Sequence, residues 1–164
     1  MRLRRRPGTA GATAAAASGA AEAATRPPAY VRFARLAYAL LASAFLACVV
    51  IQAFFAGVGI FGADWSFHTS FVPFFELMLP PAFVLALAGR LPLALKLSPV
   101  GLWFLVTVQY ALANLDASDA VAALHPVNGL LIFWLALEGA RRSWRIATGP
   151  VTKPTTVRED GNKL

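Results

Sequence analysis

Hydrophobic residues dominate four segments of the chain, each long enough to cross a lipid bilayer as a helix. These apolar runs cover about 33–61, 66–89, 98–115 and 121–140. Because a helix rises 1.5 Å per residue, roughly 20 apolar residues cross a hydrocarbon core of about 30 Å. The pattern therefore predicts an all-α fold, an integral membrane four-helix bundle.

Glycine and proline predict where the first two spans turn and bend. The Gly-rich stretch 57–62 marks the turn after the first span. Three prolines, Pro73, Pro80 and Pro81, interrupt the second span, and each removes a backbone hydrogen-bond donor. We expect the second span to bend against its neighbours, which must satisfy the freed carbonyl groups.

The starts of the third and fourth spans are predicted from their own prolines. Ser98-Pro99 reads as a cap residue followed by proline at the first helical position. Pro126 leaves the start of the fourth span open between Val121 and His125, with a short surface helix preceding it as one alternative.

Composition supports a membrane protein with polar tails. The chain is 58% hydrophobic and 14% charged, with a mean hydropathy of +0.61, whereas soluble chains carry about 25% charged residues. We predict a disordered basic tail at 1–28, a membrane domain at 29–145 and a disordered cytoplasmic tail at 146–164. The first tail lacks the Leu/Val-rich region of a signal peptide.

The basic residues predict the orientation of the bundle. All 15 Lys and Arg fall on one side of the four-span arrangement, and the opposite loops carry only the acids Asp64, Asp116 and Asp119. By the positive-inside rule, both termini are cytoplasmic and the protein is a multi-pass protein of the inner (plasma) membrane. The net charge of +7 then favours the bilayer and its anionic lipids as partners rather than nucleic acid. No protein partner is indicated.

Two polar pairs recur at one interval. Gln52 precedes His68 by 16 residues, Gln109 precedes His125 by the same 16, and the chain holds no other glutamine or histidine. The interval predicts two related helical hairpins, arranged about an axis along the membrane normal. All four side chains should then lie near the bundle axis at similar depth, because polar groups in spans face the interior.

Two interpretations of these pairs remain open. In the first, each glutamine bonds a histidine across the helices and only pins the bundle, a contact worth about 1–2 kcal/mol at most. In the second, His68 and His125 are axial ligands of one b-type haem in the outer leaflet, and the protein transfers electrons. Gln52, Gln109 and Asn128 complete that candidate cofactor site, with Asn128 orienting His125.

The haem interpretation also requires space, which the sequence assigns to Gly57, Gly59 and Gly129. A zinc site made of His68, His125 and Asp64 lacks a fourth ligand. Outside haem, the alternative function is a haem-free structural or small-ligand-binding membrane module.

Three further polar residues lie in or beside the spans. Glu76, eight residues beyond His68, is an intramembrane acid and a candidate for proton or ion contact; its other interpretation is a protonated acid bonded to a carbonyl that Pro80 frees. Glu138 lies within one turn of two arginines, and an ion pair explains it. Cys48 is interpreted as a packing residue. No phosphate loop, nucleophile elbow or zinc-protease motif is present, so catalysis is not expected.

Three segments resemble a known family. They are Ile51-Gln52-Ala-Phe-Phe-Ala-Gly57, Phe61-Gly-Ala-Asp-Trp-Ser-Phe-His68 and Leu124-His125-Pro126-Val-Asn128. They are similar to small four-span membrane proteins of actinobacteria and related bacteria, which are known only as a domain of unknown function. The resemblance covers 30–145 and implies the four-span fold, without implying an activity.

Overall fold

A computed structural model describes residues 26–62, 64–114 and 118–149. The predicted tails fall largely outside these ranges, as does Asp116. Six helices make up the described part, which contains no β-strand. They are α1 (Ala29–Ile60), α2 (Ser66–Glu76), α3 (Leu79–Ala88), α4 (Leu93–Asn114), α5 (Asp119–Ala122) and α6 (Leu124–Thr148).

The helices form four antiparallel spans, as the hydrophobic pattern predicts. The first is α1, the second comprises α2 and α3, the third is α4, and the fourth comprises α5 and α6. Span one packs against spans two and four, and span three packs against the same two, so the spans close a ring. This confirms the all-α four-helix bundle; a common origin of its two hairpins stays a prediction.

The outside of the bundle is apolar. Large side chains such as Phe33, Phe104 and Leu130 are 72%, 67% and 68% exposed. An apolar exterior of this extent is unfavourable in water, whereas contact with the hydrocarbon core of a bilayer carries no such penalty. All four spans are long and apolar enough to cross a membrane. The chain therefore has the build of an integral membrane protein.

Two ends of the bundle are distinguished by their side chains. The basic end carries Arg35, Arg90 and Arg141, and the histidine end carries His68 and His125. At the basic end, the guanidinium of Arg35 donates to the Gly89 carbonyl at 2.9 Å, which ties span one to the turn after span two. Trp144 donates to the hydroxyl of Ser43 at 2.9 Å and joins the fourth span to the first.

The second span breaks at Leu77–Met78, between α2 and α3. Pro80 and Pro81 occupy the first turn of α3, where their missing N–H groups cost least. The carbonyls four residues earlier, those of Glu76 and Leu77, therefore receive no helical bond from them. The helix is interrupted where the bend was predicted, and the interruption places Glu76 at the end of α2.

The third span begins at Leu93, five residues before the predicted cap at Ser98. Pro92 takes the capping position, since its carbonyl accepts from Leu95 N–H at 2.9 Å. The turn before it relies on Arg90, whose φ of 50° lies in the left-handed region. Ser98 and Pro99 are buried inside α4 instead. Local composition suggested the cap, but the bundle buries this pair.

Pro99 is tolerated within α4 because another span satisfies the carbonyl that it frees. A helical residue at 99 would donate its N–H to Leu95, and proline has no N–H. The hydroxyl of Tyr38, itself 1% exposed, donates to the Leu95 carbonyl at 2.9 Å. This contact converts a helix defect into a link between spans one and three.

The fourth span contains the short helix that the sequence left as an alternative. Helix α5 ends at Ala122, and α6 runs from Leu124 to Thr148, three residues into the segment predicted as tail. Close packing fixes α6 against α4, since a side chain on Gly139 would come within 3.1 Å of the Ser98 hydroxyl.

Candidate ligand site between two histidines

The fold brings His68 and His125 together from different hairpins. His68 lies in the first turn of α2 and His125 in the first turn of α6. Their ring centroids are 6.4 Å apart, with the ring planes inclined by 54°. Both side chains are half-buried. The two histidines therefore come together, as expected; their position near the bundle axis at one depth stays a prediction.

Gln52 contacts the first histidine of this pair through hydrogen bonds. Its amide nitrogen donates to the His68 carbonyl at 2.7 Å and lies 3.0 Å from Nδ1 of the same residue. Nδ1 of His68 is also 3.2 Å from the Gln52 carbonyl. The ring can thus accept from the amide in one tautomer, or donate to the carbonyl in the other and leave Nε2 with a free lone pair.

Gln109 contacts His125, but its hydrogen bonds differ from those between Gln52 and His68. Its amide nitrogen donates to the His125 carbonyl at 3.0 Å. Asn128 donates to Oε1 of Gln109 at 2.6 Å and to the Leu105 carbonyl at 2.8 Å. Asn128 therefore orients Gln109, whereas the sequence assigned it to His125. The only sequence signal for the contact of Asn128 was its spacing from His125, which lies one helical turn earlier on α6.

Two buried polar atoms at the site have no hydrogen-bond partner among the described residues. They are Oε1 of Gln52 and Nδ1 of His125. An unpaired polar atom is costly away from water, and more so in a bilayer, where no solvent replaces the missing bond. A ligand or water that bonds these atoms would relieve that cost. The site thus has unused binding capacity on both hairpins.

The glycines expected to leave space around the site differ from one another. The Trp65 ring occupies the position beside Gly59, where a Cβ would come within 2.7 Å of it, and it meets the His68 ring edge-on at 5.5 Å. The space beside Gly59 is therefore filled by the Trp65 indole and not left open for a haem macrocycle. Gly57 has open space beside it, and a Cβ on Gly129 would lie 3.8 Å from the Gln109 amide.

The ring spacing is compatible with one metal atom held by both imidazoles. Metal–imidazole nitrogen bonds measure about 2.0–2.1 Å, so rings on opposite sides of one atom have centres roughly 6 Å apart. A ligating histidine also needs an acceptor for its other ring N–H. The Gln52 carbonyl supplies that acceptor to His68. Among the described residues Nδ1 of His125 lacks one, so His68 has a contact suited to a ligating histidine, whereas His125 is matched by ring spacing alone.

The part of the chain that the structure describes forms no site for a bare metal ion. Among the described residues, no three His, Cys, Asp or Glu side chains lie close enough to share an ion. Asp64 instead accepts from the Ser66 N–H at 3.0 Å, at the start of α2. Hydrogen bonds from the Ser66 hydroxyl and backbone N–H lower the pKa of this carboxyl. Its role is to stabilise the helix start.

Glu76 bonds to two aromatic side chains that the sequence did not connect with it. The indole N–H of Trp103 donates to Oε1 at 2.8 Å, and the hydroxyl of Tyr110 donates to Oε2 at 3.4 Å. The alternative, a bond from a protonated acid to a carbonyl freed by Pro80, stays a prediction. Spacing alone could not reveal this cluster, because its partners lie on another span.

The other two candidate residues behave as expected. Glu138 lies 3.1 Å from the Arg142 guanidinium and 4.0 Å from that of Arg141, as an ion pair at the basic end. Cys48 is buried in the core beside Phe45 and Phe75.

Residues 52–117 match the profile of a family of unknown function (DUF6220). This match confirms the expected relationship to a domain of unknown function, while the actinobacterial source stays a prediction. The matched segment begins at Gln52 and includes His68, Glu76 and Gln109. No curated protein and no solved structure matches the chain.

Proposed function

We propose that this chain is a multi-pass plasma-membrane protein whose paired histidines form a ligand site in the outer half of the bilayer. One observation carries the proposal. Two hairpins place His68 and His125 with ring centres 6.4 Å apart, and a buried nitrogen of His125 has no partner among the residues that the structure describes. Ionisable and polar groups inside a membrane are costly, so they are kept mainly where they act.

The proposed occupant is a b-type haem, which His68 and His125 would hold through their ring nitrogens. When bound, it supplies one-electron transfer. The chain's own residues would hold the rings: the Gln52 carbonyl accepts the Nδ1–H of His68, and Gln109, fixed by Asn128, holds the backbone at His125. No catalysis by the chain itself is proposed.

A haem-free module is the second candidate, and the direct contacts between glutamine and histidine favour it. Both glutamines already reach the histidine of their own hairpin, at 2.7 Å and 3.0 Å. In this case the pairs pin the helix starts, and the unpartnered atoms accept water or a small polar ligand.

Visible spectroscopy separates the two candidates. The full-length protein is purified from haem-supplemented cells, alongside His68→Ala, His125→Ala and Ser43→Ala. The Ser43 variant is the control, because its hydroxyl bonds Trp144 in the basic half. Haem predicts a Soret band in the wild type and the control that is lost in both histidine variants. A colourless wild type would overturn the haem proposal and leave the pinning function.

The orientation is proposed from charge. Arginines and lysines gather at the basic end, where they would meet the anionic cytoplasmic leaflet. Because Cys48 is the only cysteine, a Cys48→Ser background allows single-cysteine labelling. A membrane-impermeant maleimide should label Ser66→Cys in intact cells and should label Thr148→Cys only after lysis. Labelling of Thr148→Cys in intact cells would reverse the orientation.

A further inference from the structure

A second polar cluster lies midway along the spans, apart from the histidine pair. Glu76 stands ten residues after Ser66 and twelve before Ala88 in the second span, about 15 and 18 Å along a helix axis. Trp103 is equally central in α4. The carboxylate and the indole therefore meet near mid-membrane, where tryptophan is uncommon because it prefers the interfaces.

The carboxylate of Glu76 has donors but no counter-ion in the described part of the chain. Each of its oxygen atoms accepts one bond from a neutral aromatic side chain. The ion pairs formed by described residues involve Glu138 instead. Two neutral donors orient the carboxyl oxygens but supply no positive charge, which a bound cation would add.

The cluster opens toward the lipid. Trp103 is 55% exposed, Tyr110 is 37% exposed, and Glu76 is half-buried between them. The neighbouring Leu77 and Phe104 are also exposed. A ligand would therefore reach Glu76 from the bilayer and would need an apolar body.

We propose that Glu76, Trp103 and Tyr110 bind an amphipathic organic cation that enters from the bilayer. The carboxylate supplies the opposite charge, and the two ring faces supply cation–π contact, which is strongest with tryptophan. Trp103 and Tyr110 are seven residues apart on α4 and so present their rings on one face. An inorganic ion is disfavoured, because it needs several oxygen ligands and only one acid is present.

Tetraphenylphosphonium, a lipophilic cation, is the probe for this site. Binding to the full-length protein in nanodiscs is measured by equilibrium dialysis, with empty nanodiscs subtracted. We expect saturable binding with one cation per chain. Glu76→Gln keeps the side-chain shape and removes the charge, and it should weaken binding at least about tenfold.

Variants of the aromatic residues separate the ring faces from the hydrogen bonds. Trp103→Leu removes the ring and should weaken binding several-fold, whereas Tyr110→Phe keeps the ring and should bind nearly as wild type. Glu138→Gln removes an acid at the basic end and is the charge control. His68→Ala should also bind normally, so this result is independent of the histidine site.

Two results would overturn the proposal: no saturable binding to the wild type, or equal binding by the wild type and Glu76→Gln. Circular dichroism and gel filtration check the fold of each variant. If Glu76→Gln does not fold, Trp103→Leu decides the question, since unchanged binding by that variant contradicts the role of the ring.

Discussion

The side-chain amide of Asn128 lies 2.6 Å from Oε1 of Gln109, and it determines which way Gln109 faces. With Oε1 engaged, the amide nitrogen of Gln109 is directed to the His125 carbonyl. The equivalent oxygen of Gln52 has no partner in the described ranges 26–62, 64–114 and 118–149. The two Gln–His pairs have the same spacing in sequence. Among the described residues, however, only the glutamine of the second pair has its side-chain oxygen bonded, by Asn128.

This support predicts an effect of Asn128→Ala on stability. The substitution removes bonds to Gln109 and to the Leu105 carbonyl, so the free energy of unfolding should fall by about 1–2 kcal/mol. Denaturation in mixed micelles followed by circular dichroism measures it. Asn114→Ala is the control: Asn114 is exposed and bonds only within its own helix, so a change below about 0.5 kcal/mol is expected. Equal losses of unfolding free energy in the two variants would contradict the assigned role of Asn128 in orienting Gln109.

The two histidines should respond differently to phenylalanine in ligand-free protein. His125→Phe removes a buried nitrogen that has no partner, so stability should stay the same or rise. His68→Phe loses the ring contact with Gln52 at 3.0 Å and should cost about 1–2 kcal/mol. Thermal unfolding of both proteins in one detergent tests the difference, and the reverse order would refute the assigned contacts.

Gly59 and Gly57 form a matched pair for testing the Trp65 contact. Gly59→Ala places a methyl group within 2.7–2.9 Å of the indole, and overpacking should cost about 1–3 kcal/mol. Gly57→Ala meets no atom within 4 Å, so it should be neutral or stabilise by about 0.5–1 kcal/mol through helix propensity. Unfolding midpoints of the two variants give the comparison. Equal effects would mean that Trp65 does not rest on Gly59.

The Tyr38 hydroxyl should matter because Pro99 leaves the Leu95 carbonyl without a helical donor. Tyr38→Phe is expected to lower the free energy of unfolding by about 1–2 kcal/mol. Pro99→Ala restores an N–H to the helix, so Tyr38→Phe should cost less in that background. A double-mutant cycle measures this coupling, and an unchanged cost would show that the carbonyl is satisfied in another way. Tyr30→Phe, at an exposed tyrosine, is the control.

The sequence predicts best those properties that depend on local composition. The turn at Gly62, the helix break before Pro80 and the approach of His68 to His125 follow from residue order and spacing, whereas Gly57 and Gly59, predicted in the turn, lie inside α1. The prediction of a helix start at Ser98-Pro99 was wrong, because a serine before a proline resembles a helix start wherever it stands. The pair lies inside α4, and the carbonyl that Pro99 frees there accepts a bond from Tyr38, which is about sixty residues away in the chain.

By itself, the sequence determined the number of spans, their apolar exterior and the end at which the basic residues gather. These features depend on how many consecutive residues are hydrophobic and where charges interrupt them, which a bilayer translates directly into helices. Tertiary structure decided the partners of each polar side chain. Helix rotation and tilt place Trp103 and Tyr110 on Glu76, Asn128 on Gln109, and Trp65 on Gly59. Those contacts join residues on different elements or depend on a turn between them, so packing selects them and sequence spacing does not.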